Sequence, residues 1–284
     1  MVPKMIPFTD ARTEDEIGGK AKNLALLFQS RFPVPKGFVI PAQTFEHAVQ
    51  SDQDPYGWVF PEYMRQEIEA AYKKYVQPPV VVRSSCSIED LESASFAGQY
   101  ETILNVHFVN LLESIKRCWL SVYQGHAQSY LTQRGSAGGQ APAMSVIVQE
   151  FVHADVAGVA FSKNPITGND DEIIINANFG LGEAVVSGLV TPDVFALSKQ
   201  RNAIVARDLG DKDCKTILDR YGTRIAETTS QEQSSFSLND EQLHELRAMI
   251  MGIETLFGYP VDVEFAYRHG KLHILQARNI TNGG

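Results

Sequence analysis

The sequence predicts an α/β or α+β protein with mixed sheets, because helical and strand patterns alternate along the chain. Three observations carry this prediction. Apolar runs typical of buried strands occupy residues 80–82, 144–151 and 156–161, an amphipathic helix pattern covers 240–257, and a β-hairpin pattern covers 261–276. With 284 residues, of which 44% are hydrophobic, the chain is long enough for one large domain or for two lobes around a cleft.

Composition excludes several classes of function. The formal net charge is −9 and no run of Lys and Arg occurs, so we expect no nucleic-acid partner. Cys86, Cys118 and Cys214 lie far apart and fit neither a zinc spacing nor a disulfide framework, which is typical of a reducing compartment. The N-terminal residues lack a signal-peptide pattern and no apolar stretch is long enough to span a bilayer. We therefore expect a soluble, cytoplasmic protein without a membrane partner.

The first half of the chain carries two helix patterns and one short strand. Gly18-Gly19-Lys20 opens a helix that runs through Leu27, and residues 62–76 form an exposed helix rich in charged side chains. Residues 38–40 form a strand that ends at Pro41.

In the second half, residues 172–176 form a buried strand, and a Gly-rich turn at 179–183 leads into a helix. Residues 133–142 and 228–237 are small and polar, which indicates surface loops.

The helix at 240–257 has the clearest boundaries in the sequence. Asn239 can cap its N-terminus with Gln242 as the reciprocal partner, and Gly258 and Pro260 end it. Its predicted apolar face consists of Leu243, Leu246, Met249, Ile250, Ile253 and Leu256.

The most informative stretch for function is 81–102. A buried strand brings Arg83 to its end, and a Ser-rich turn and a Ser-Phe-Ala-Gly-Gln loop follow, in which Gly98 allows close approach of backbone amides. Guanidinium groups and free N–H groups suit a polyphosphate. An equally good interpretation at this point pairs Arg83 with Glu89 or Asp90 next to an ordinary glycine turn.

The hairpin at 261–278 offers a second cluster. Asp262 and Glu264 share one face of its first strand, and in the returning strand Leu272, Ile274, Gln276 and Arg278 are predicted to share a face. A turn with an odd number of residues would place Glu264 on the same face as Gln276, whereas a two-residue turn would separate them. With an odd turn, carboxylate and amide oxygens would surround one point and suit Mg²⁺. The alternative is a solvated outer face with an Arg–Glu cross-strand pair.

The common nucleotide motifs are absent. The sequence has no G-x-x-x-x-G-K-[ST] loop, and Gly180-Leu-Gly182 lacks the third glycine of a dinucleotide fingerprint. The seven histidines form no metal spacing.

The ordered set of motifs resembles the N-terminal ATP-binding domain of the phosphoenolpyruvate synthase, pyruvate phosphate dikinase and rifamycin phosphotransferase superfamily. The resemblance runs nearly end to end, and the stretch Phe-Gly-Leu-Gly-Glu-Ala-Val-Val-Ser-Gly-Leu-Val favours the rifamycin-phosphotransferase-like branch. The motifs that carry it are Gly-Gly-Lys20, Val-Arg83-Ser-Ser, Ala-Ser-Phe-Ala-Gly98-Gln, Gln149-Glu150, Gly158-Val-Ala-Phe-Ser-Lys-Asn-Pro-Ile-Thr167, Phe-Gly-Leu-Gly-Glu183, Pro192-Asp193, Asp262-x-Glu264 and Gln276-x-Arg278.

The resemblance implies an α+β fold of the ATP-grasp type: a single ATP-binding domain over residues 1–284, two-lobed, with largely antiparallel mixed sheets. Its lobes would span about 1–149 and 150–284, with ATP held between them.

The implied catalytic residues are Lys20, Arg83 and Arg278, which would contact the phosphates. The implied ATP-binding residues are Gly98, Gln99, Thr102, Gln149, Glu150 and Val152, of which Gln149, Glu150 and Val152 would lie at the adenine. The implied ligands of Mg²⁺ or Mn²⁺ are Asp262, Glu264 and Gln276.

The resemblance also implies a reaction that this chain begins and another segment completes. The family passes a pyrophosphoryl group from ATP to a histidine on a separate domain and releases AMP, and a small-molecule acceptor binds on a further domain. The Thr/Ser- and Gly-rich motif that carries this histidine is absent here. We therefore expect a separately produced domain, one subunit of a split enzyme, or a free-standing protein.

Four positions depart from the family pattern. His126 and Leu131 stand where arginines are expected, Asn279 replaces a proline after Arg278, and Phe265 replaces a tryptophan, which is a mild change. Loss of the arginine near 126 would weaken the ATP chemistry or mark a different reaction, and a protonated His126 could carry part of the charge.

Two other functions remain open. One is a free-standing ATP-grasp ligase that activates a carboxylate, since the fold hosts both reactions. The other is a non-catalytic nucleotide-binding module.

Overall fold

A computed structural model describes residues 4–12, 15–45, 57, 59–86, 101–121, 143–220 and 222–280. The predictions for Glu89, Asp90, His126, Leu131 and the loop with Gly98 and Gln99 lie outside these residues. The chain divides into two compact units. The first unit comprises Met1–Gln29 and Lys36–Phe151, and the second comprises Ser30–Pro35 and Val152–Gly284.

The first unit contains a five-stranded antiparallel sheet in the order β1-β2-β5-β3-β4. Its strands are β1 (Ile6–Pro7), β2 (Gly37–Ile40), β3 (Val80–Cys86), β4 (Thr102–Val106) and β5 (Met144–Glu150). Its helices are α1 (Gly18–Gln29), α2 (Glu62–Tyr75) and α3 (Leu111–Leu120), and a 3₁₀ turn (Phe108–Asn110) precedes α3.

The two faces of this sheet bury different elements. Val80, Val82 and Cys86 of β3 lie in a hydrophobic core with Ile68 of α2 and Trp119 of α3. Because side chains alternate along a strand, Arg83 and Ser85 point to the other face, where Ser85 contacts the start of α1. The helix predicted at 62–76 as exposed has one buried face, formed by Met64, Ile68, Ala71 and Tyr72.

The second unit contains a six-stranded antiparallel sheet in the order β13-β12-β6-β7-β8-β9 and a two-stranded sheet, β10-β11. Its strands are β6 (Val156–Phe161), β7 (Glu172–Phe179), β8 (Asp193–Ser198), β9 (Ala203–Asp208), β10 (Cys214–Asp219), β11 (Gly222–Glu227), β12 (Val261–Arg268) and β13 (Lys271–Asn279). Its helices are α4 (Glu183–Val186), α5 (Ser230–Gln233) and α6 (Asp240–Phe257). The helices and antiparallel sheets confirm the α+β class.

Helix α6 forms for the reasons its sequence predicts. The Asn239 side chain accepts a hydrogen bond from the Gln242 N–H, and the Gln242 side chain accepts one from the Asn239 N–H. Gly258 ends the helix in the left-handed conformation, with φ 77°. The predicted apolar face is confirmed for Leu243, Leu246, Ile250 and Ile253, which are buried, but Leu256 is exposed.

Other parts of the second unit differ from the prediction. Residues 228–237, predicted as a loop, contain α5, which Thr229 and Glu232 cap reciprocally. Strands β8 to β11 were not predicted, because exposed positions interrupt most of their apolar residues. Among the residues that the structure describes, no helix is long and apolar enough to cross a membrane.

A fully buried ion pair joins three segments of the second unit. Lys212 Nζ lies 2.6 Å from Asp193 Oδ1, and both side chains have no exposed surface. The N–H groups of Gly210 and Ser237 donate to the two Asp193 oxygens at 3.0 and 2.7 Å. Lys212 also donates to the Gly210 carbonyl at 3.0 Å. The pair therefore ties β8 to the loop before β10 and to the segment before α6.

Replacing Lys212 with Met should lower the free energy of unfolding by about 3–5 kcal/mol, because it leaves the Asp193 carboxylate buried without its cation. Urea unfolding of the purified variant measures this loss. Lys163→Met is the matched control, since Lys163 pairs with Asp170 at the surface and a surface pair contributes at most about 1 kcal/mol. Equal losses in the two variants would contradict the assignment of a structural role to the buried pair.

Candidate active site

The hairpin of β12 and β13 contains a shift of one residue in its pairing. Asp262 lies opposite Arg278 and Glu264 opposite Gln276, but the next pair is Phe265 with Ile274, so Leu275 is the extra residue of a β-bulge in β13. The turn is the two-residue type, because Arg268 pairs with Lys271 and both His269 and Gly270 have positive φ. A regular hairpin with this turn would separate Glu264 from Gln276. The bulge at Leu275 restores them to one face.

Because of the bulge, one prediction about the returning strand is wrong. Leu272 and Ile274 do not share a face with Gln276 and Arg278, as the sequence predicted. They pair with Tyr267 and Phe265 on the opposite face of the sheet and are buried. The simple alternation of a strand fails here because the extra residue inverts it.

Asp155 holds the turn of this hairpin in place. Its carboxylate accepts a hydrogen bond from the His269 N–H at 2.7 Å and pairs with the Arg268 guanidinium. Its backbone N–H donates to the Tyr267 carbonyl at 2.8 Å. Burial alone would raise the pKa of Asp155, but the bonds from His269 and Arg268 outweigh it and hold that pKa below its usual value.

Asp262 and Arg278 form an ion pair across the two strands. Arg278 Nε donates to Asp262 Oδ2 at 2.8 Å, and Arg278 Nη2 lies 2.7 Å from the same oxygen. Burial raises the pKa of Asp262, the Arg278 guanidinium opposes this rise, and the charge of Glu264 adds to it. Asp262 is 8% and Gln276 4% exposed, so this face is not the solvated surface of the alternative interpretation.

A cavity of about 280 Å³ opens over this face within the second unit. Its polar lining consists of Asp262, Glu264, Arg278 and Asn176, and its apolar lining consists of Val159, Phe161, Pro165, Val185, Val186 and Ile280. The sheet register explains the arrangement: Phe161 lies opposite Asp262, and Val159 lies between Glu264 and Asn176. Asn176 is not among the residues predicted from the sequence, although a polar residue within the apolar run of β7 could have indicated it.

In the first unit, β3 places Arg83 directly opposite Thr102 of β4. Arg83 is 9% exposed, whereas Thr102 is exposed at the start of its strand. The alternative pairing of Arg83 with Glu89 or Asp90 involves residues outside the described part of the chain, so it stays open.

Ser85 of β3 binds the start of α1, the helix that carries Lys20. Its hydroxyl accepts from the Ala21 N–H at 3.1 Å and donates to the Ile17 carbonyl at 2.8 Å. Gly18 lies so close to β3 that a Cβ there would be 2.5 Å from the Ser85 carbonyl oxygen. The start of α1, which carries Lys20, is therefore fixed to the strand two residues beyond Arg83.

The residues predicted at the adenine lie at the end of β5 and just after it. Gln149 is buried and pairs with Gly37 and Val81. The Glu150 carboxylate accepts a hydrogen bond from the Gln77 N–H at 3.0 Å, and Val152 follows the strand at a half-buried position. The structure thus shows a structural bond for Glu150, and the role of these residues at the adenine stays a prediction.

The predicted ligand set fits a hard cation such as Mg²⁺. Within the described residues, no group of three or more His, Cys, Asp or Glu could hold a metal ion. Asp262, Glu264 and Gln276 instead offer two carboxylates and an amide on one face of the hairpin. Mg²⁺ commonly takes one or two carboxylates and completes its shell with water and substrate phosphates.

Replacing Ser85 with Ala should lower the stability of the first unit by about 1–3 kcal/mol, because two buried hydrogen bonds to the start of α1 are lost. Ser84→Ala is the matched control, since the neighbouring Ser84 hydroxyl is buried and has no hydrogen-bond partner among the described residues. Thermal or urea unfolding compares the two. A loss in Ser84→Ala as large as that in Ser85→Ala would contradict this account.

Replacing Asp155 with Asn should lower the melting temperature near pH 7, and the difference from the wild type should close as the pH falls below about 4. The reason is the lowered pKa of Asp155: its contribution to stability is present above its unfolded pKa and is lost as the pH falls through its folded pKa. Melting curves from pH 2 to pH 7 test this. Asp170→Asn at the surface is the control, and a pH-independent difference for Asp155→Asn would refute the prediction.

Known proteins match the chain over most of its length. The family model described as pyruvate phosphate dikinase, AMP/ATP-binding domain, matches residues 57–284. The uncharacterized phosphotransferase YvkC of Bacillus subtilis (strain 168) is 36% identical over 96% of this chain and 34% of its own length. The phosphoenolpyruvate synthase of Pyrococcus furiosus is 39% identical over 78% of this chain and 29% of its own length. The rifampicin phosphotransferase of Streptomyces sviceus is 39% identical over 70% of this chain and 23% of its own length.

Solved structures resemble the chain only distantly. The VanG D-Ala:D-Ser ligase of Enterococcus faecalis aligns with 94% of this chain and 53% of its own, with a TM-score of 0.42 and 13% identity. A similarity at this level supports no conclusion about this chain, so the α+β assignment rests on its own helices and antiparallel sheets. This chain spans only about a quarter to a third of the three curated relatives named above. The family model covers well over half of the chain, and the chain therefore belongs to the pyruvate phosphate dikinase AMP/ATP-binding domain family.

Proposed function

We propose that this chain is the ATP-binding part of a dikinase-type phosphotransferase. It cleaves ATP between the α- and β-phosphates, passes the pyrophosphoryl group to a histidine on a separate domain or subunit, and releases AMP. Release of orthophosphate from that adduct then leaves a phosphoryl group on the histidine. The observation that carries the proposal is the face of the β12–β13 hairpin, where Asp262, Glu264, Gln276 and Arg278 come together beside a cavity. Phosphoryl transfer needs positioning and charge neutralisation more than covalent chemistry, and these groups supply both.

In the second unit, Arg278 holds the phosphoryl groups, and its pairing with Asp262 fixes the plane of the guanidinium before ATP arrives. Asp262, Glu264 and Gln276 hold Mg²⁺ or Mn²⁺. When bound, the metal neutralises charge on the phosphate oxygens. Because Asp262 is buried, its carboxylate meets the ligand in a site of low water content, where electrostatic interactions are strong.

In the first unit, we assign Lys20, Arg83 and Thr102 to the phosphates. This assignment is supported by the bonds of Ser85 to the start of α1 and by the cross-strand pair of Arg83 and Thr102. Gln149, Glu150 and Val152 are assigned to the adenine, and Gly98 and Gln99 to a loop that covers the phosphates.

The relatives suggest where the transferred group goes. The matched proteins are named phosphoenolpyruvate synthase, rifampicin phosphotransferase and phosphotransferase, and each is much longer than this chain. A phosphohistidine segment and a small-molecule acceptor site in the rest of such a protein would complete the reaction. These names do not agree on one final acceptor, and we therefore propose only the transfer to the histidine.

The product distinguishes the proposed reaction from its alternatives. The purified chain is incubated with labelled ATP, Mg²⁺ and cell extract, and the nucleotide product and the labelled protein are analysed. AMP together with acid-labile, base-stable label on a protein supports transfer to histidine. ADP that depends on an added acid and amine indicates a ligase, and binding of ATP without turnover indicates a non-catalytic module.

Replacing Arg278 with Lys should lower the rate of AMP formation about 100-fold, because a lysine keeps the charge but loses the planar guanidinium and its fixed set of donors. Single-turnover assays with saturating ATP, and with cell extract as the source of the histidine acceptor, measure this rate. Arg268→Lys is the matched control, since Arg268 lies on the same hairpin but pairs with Asp155 at the turn. If Arg278→Lys retains the wild-type rate, Arg278 does not contact the transferred group.

A further inference from the structure

We propose that Asn176 is a further nucleotide-binding residue, and that its side-chain amide donates hydrogen bonds to phosphoryl oxygens of the ATP bound in the second unit. This inference rests on the proposed function, because it assigns a ligand to the same cavity. Asn176 lies on β7, two strands away from the hairpin that carries the predicted metal ligands.

The sheet register places Asn176 in one row with two of those ligands. Gln276 lies opposite Glu264, Glu264 opposite Val159, and Val159 opposite Asn176. Residues that lie directly opposite each other in antiparallel strands point to the same face, so all four side chains share one side of the sheet. Glu264, Val159 and Asn176 all line the cavity.

The spacing of this row favours a ligand longer than a single ion. Neighbouring strands lie about 4.8 Å apart, so the backbones at Glu264 and Asn176 are separated by about 10 Å. A directly bound Mg²⁺ holds its oxygen ligands at about 2.1 Å, and the apolar Val159 occupies the position between the two polar residues. A metal-bound polyphosphate can reach both ends of such a row, whereas one metal ion is better matched to the adjacent pair, Glu264 and Gln276.

The Asn176 side chain is available for a ligand, in contrast to that of Asn178 on the same face of β7. The Asn178 amide donates to the Cys214 carbonyl at 2.9 Å, and its oxygen accepts from the Phe179 N–H at 2.8 Å. The Asn176 side chain makes no hydrogen bond to any residue that the structure describes. Asn178 is therefore a structural residue, and Asn176 presents its amide to the cavity.

The backbone holds Asn176 in a fixed position. Gly158 of β6 lies so close to β7 that a Cβ at this position would be 1.9 Å from the Asn176 carbonyl oxygen. The two strands also pair without a register shift from Val156 to Phe161. A donor on such a rigid strand loses little conformational freedom when a ligand binds.

The charges of the cavity explain why a neutral donor is useful there. Asp262 and Glu264 contribute two carboxylates, and the one guanidinium in the lining, Arg278, already pairs with Asp262. Phosphoryl oxygens need donors beyond that guanidinium. An asparagine amide supplies two N–H groups and adds no third carboxylate to repel the phosphates.

The test measures the Kd of a non-hydrolysable ATP analogue in the presence of Mg²⁺ by calorimetry. Asn176→Ala should raise this Kd about tenfold, because one or two hydrogen bonds to a charged group are lost. Asn176→Ser, which keeps a shorter donor, should recover part of the affinity, and Asn176→Asp should bind the analogue more weakly than Asn176→Ala. Asn279→Ala is the matched control: Asn279 is an exposed amide beside Arg278 on the other face of β13, and its removal should leave the Kd unchanged.

Each outcome has one meaning. Melting temperatures establish that the variants fold, and the comparison of Ser with Ala at position 176 is independent of small losses in stability. If the wild type binds the analogue and Asn176→Ala binds it equally well, the inference is wrong and the proposed function stands. If Asn176→Asp binds Mg²⁺ more tightly and the analogue no more weakly, Asn176 belongs to the metal site and the phosphate assignment is wrong. If the wild type binds no nucleotide, the proposed function itself fails.

Discussion

The one-residue shift in the pairing of β12 and β13 is the constraint on which the cavity depends. Side chains alternate between the faces of a strand, so a slip of one residue moves every later side chain to the opposite face. Asp155 fixes the turn at one end of the hairpin, and the regular pairing of β12 with β6 fixes the first strand from its other side. Only the bulge at Leu275 then allows Gln276 and Arg278 to lie opposite Glu264 and Asp262.

Two ion pairs in the second unit differ in their surroundings, and the difference separates a structural pair from one at the candidate site. The Asp193–Lys212 pair is completely buried, and backbone N–H and C=O groups complete its hydrogen bonds. The Asp262–Arg278 pair borders a cavity, the Arg278 side chain is 40% exposed, and burial raises the pKa of Asp262. The Asp193–Lys212 pair is not accessible to a ligand, whereas the Asp262–Arg278 pair places its charges beside a cavity. Perturbed carboxylates beside a cavity are typical of functional sites.

The sequence predicts the parts of the structure that local chemistry determines. Asn239, Gln242 and Gly258 determine the ends of α6, and the Asp262-x-Glu264 and Gln276-x-Arg278 motifs name residues that the structure brings to one face of the hairpin. The bulge could not be predicted, because Leu275 within an apolar strand looks like any other strand residue. Asn176 was missed for a related reason: its importance comes from its register with Val159 and Glu264, which are distant in sequence.

The lining of the cavity fits the part of the proposed reaction that we assign to this chain. The described residues around it offer carboxylates, a guanidinium, an amide and an apolar wall. Such a set can bind, orient and neutralise a phosphate chain, and phosphoryl transfer depends mainly on positioning and charge neutralisation. In the proposed reaction, a histidine on a separate segment supplies the nucleophile.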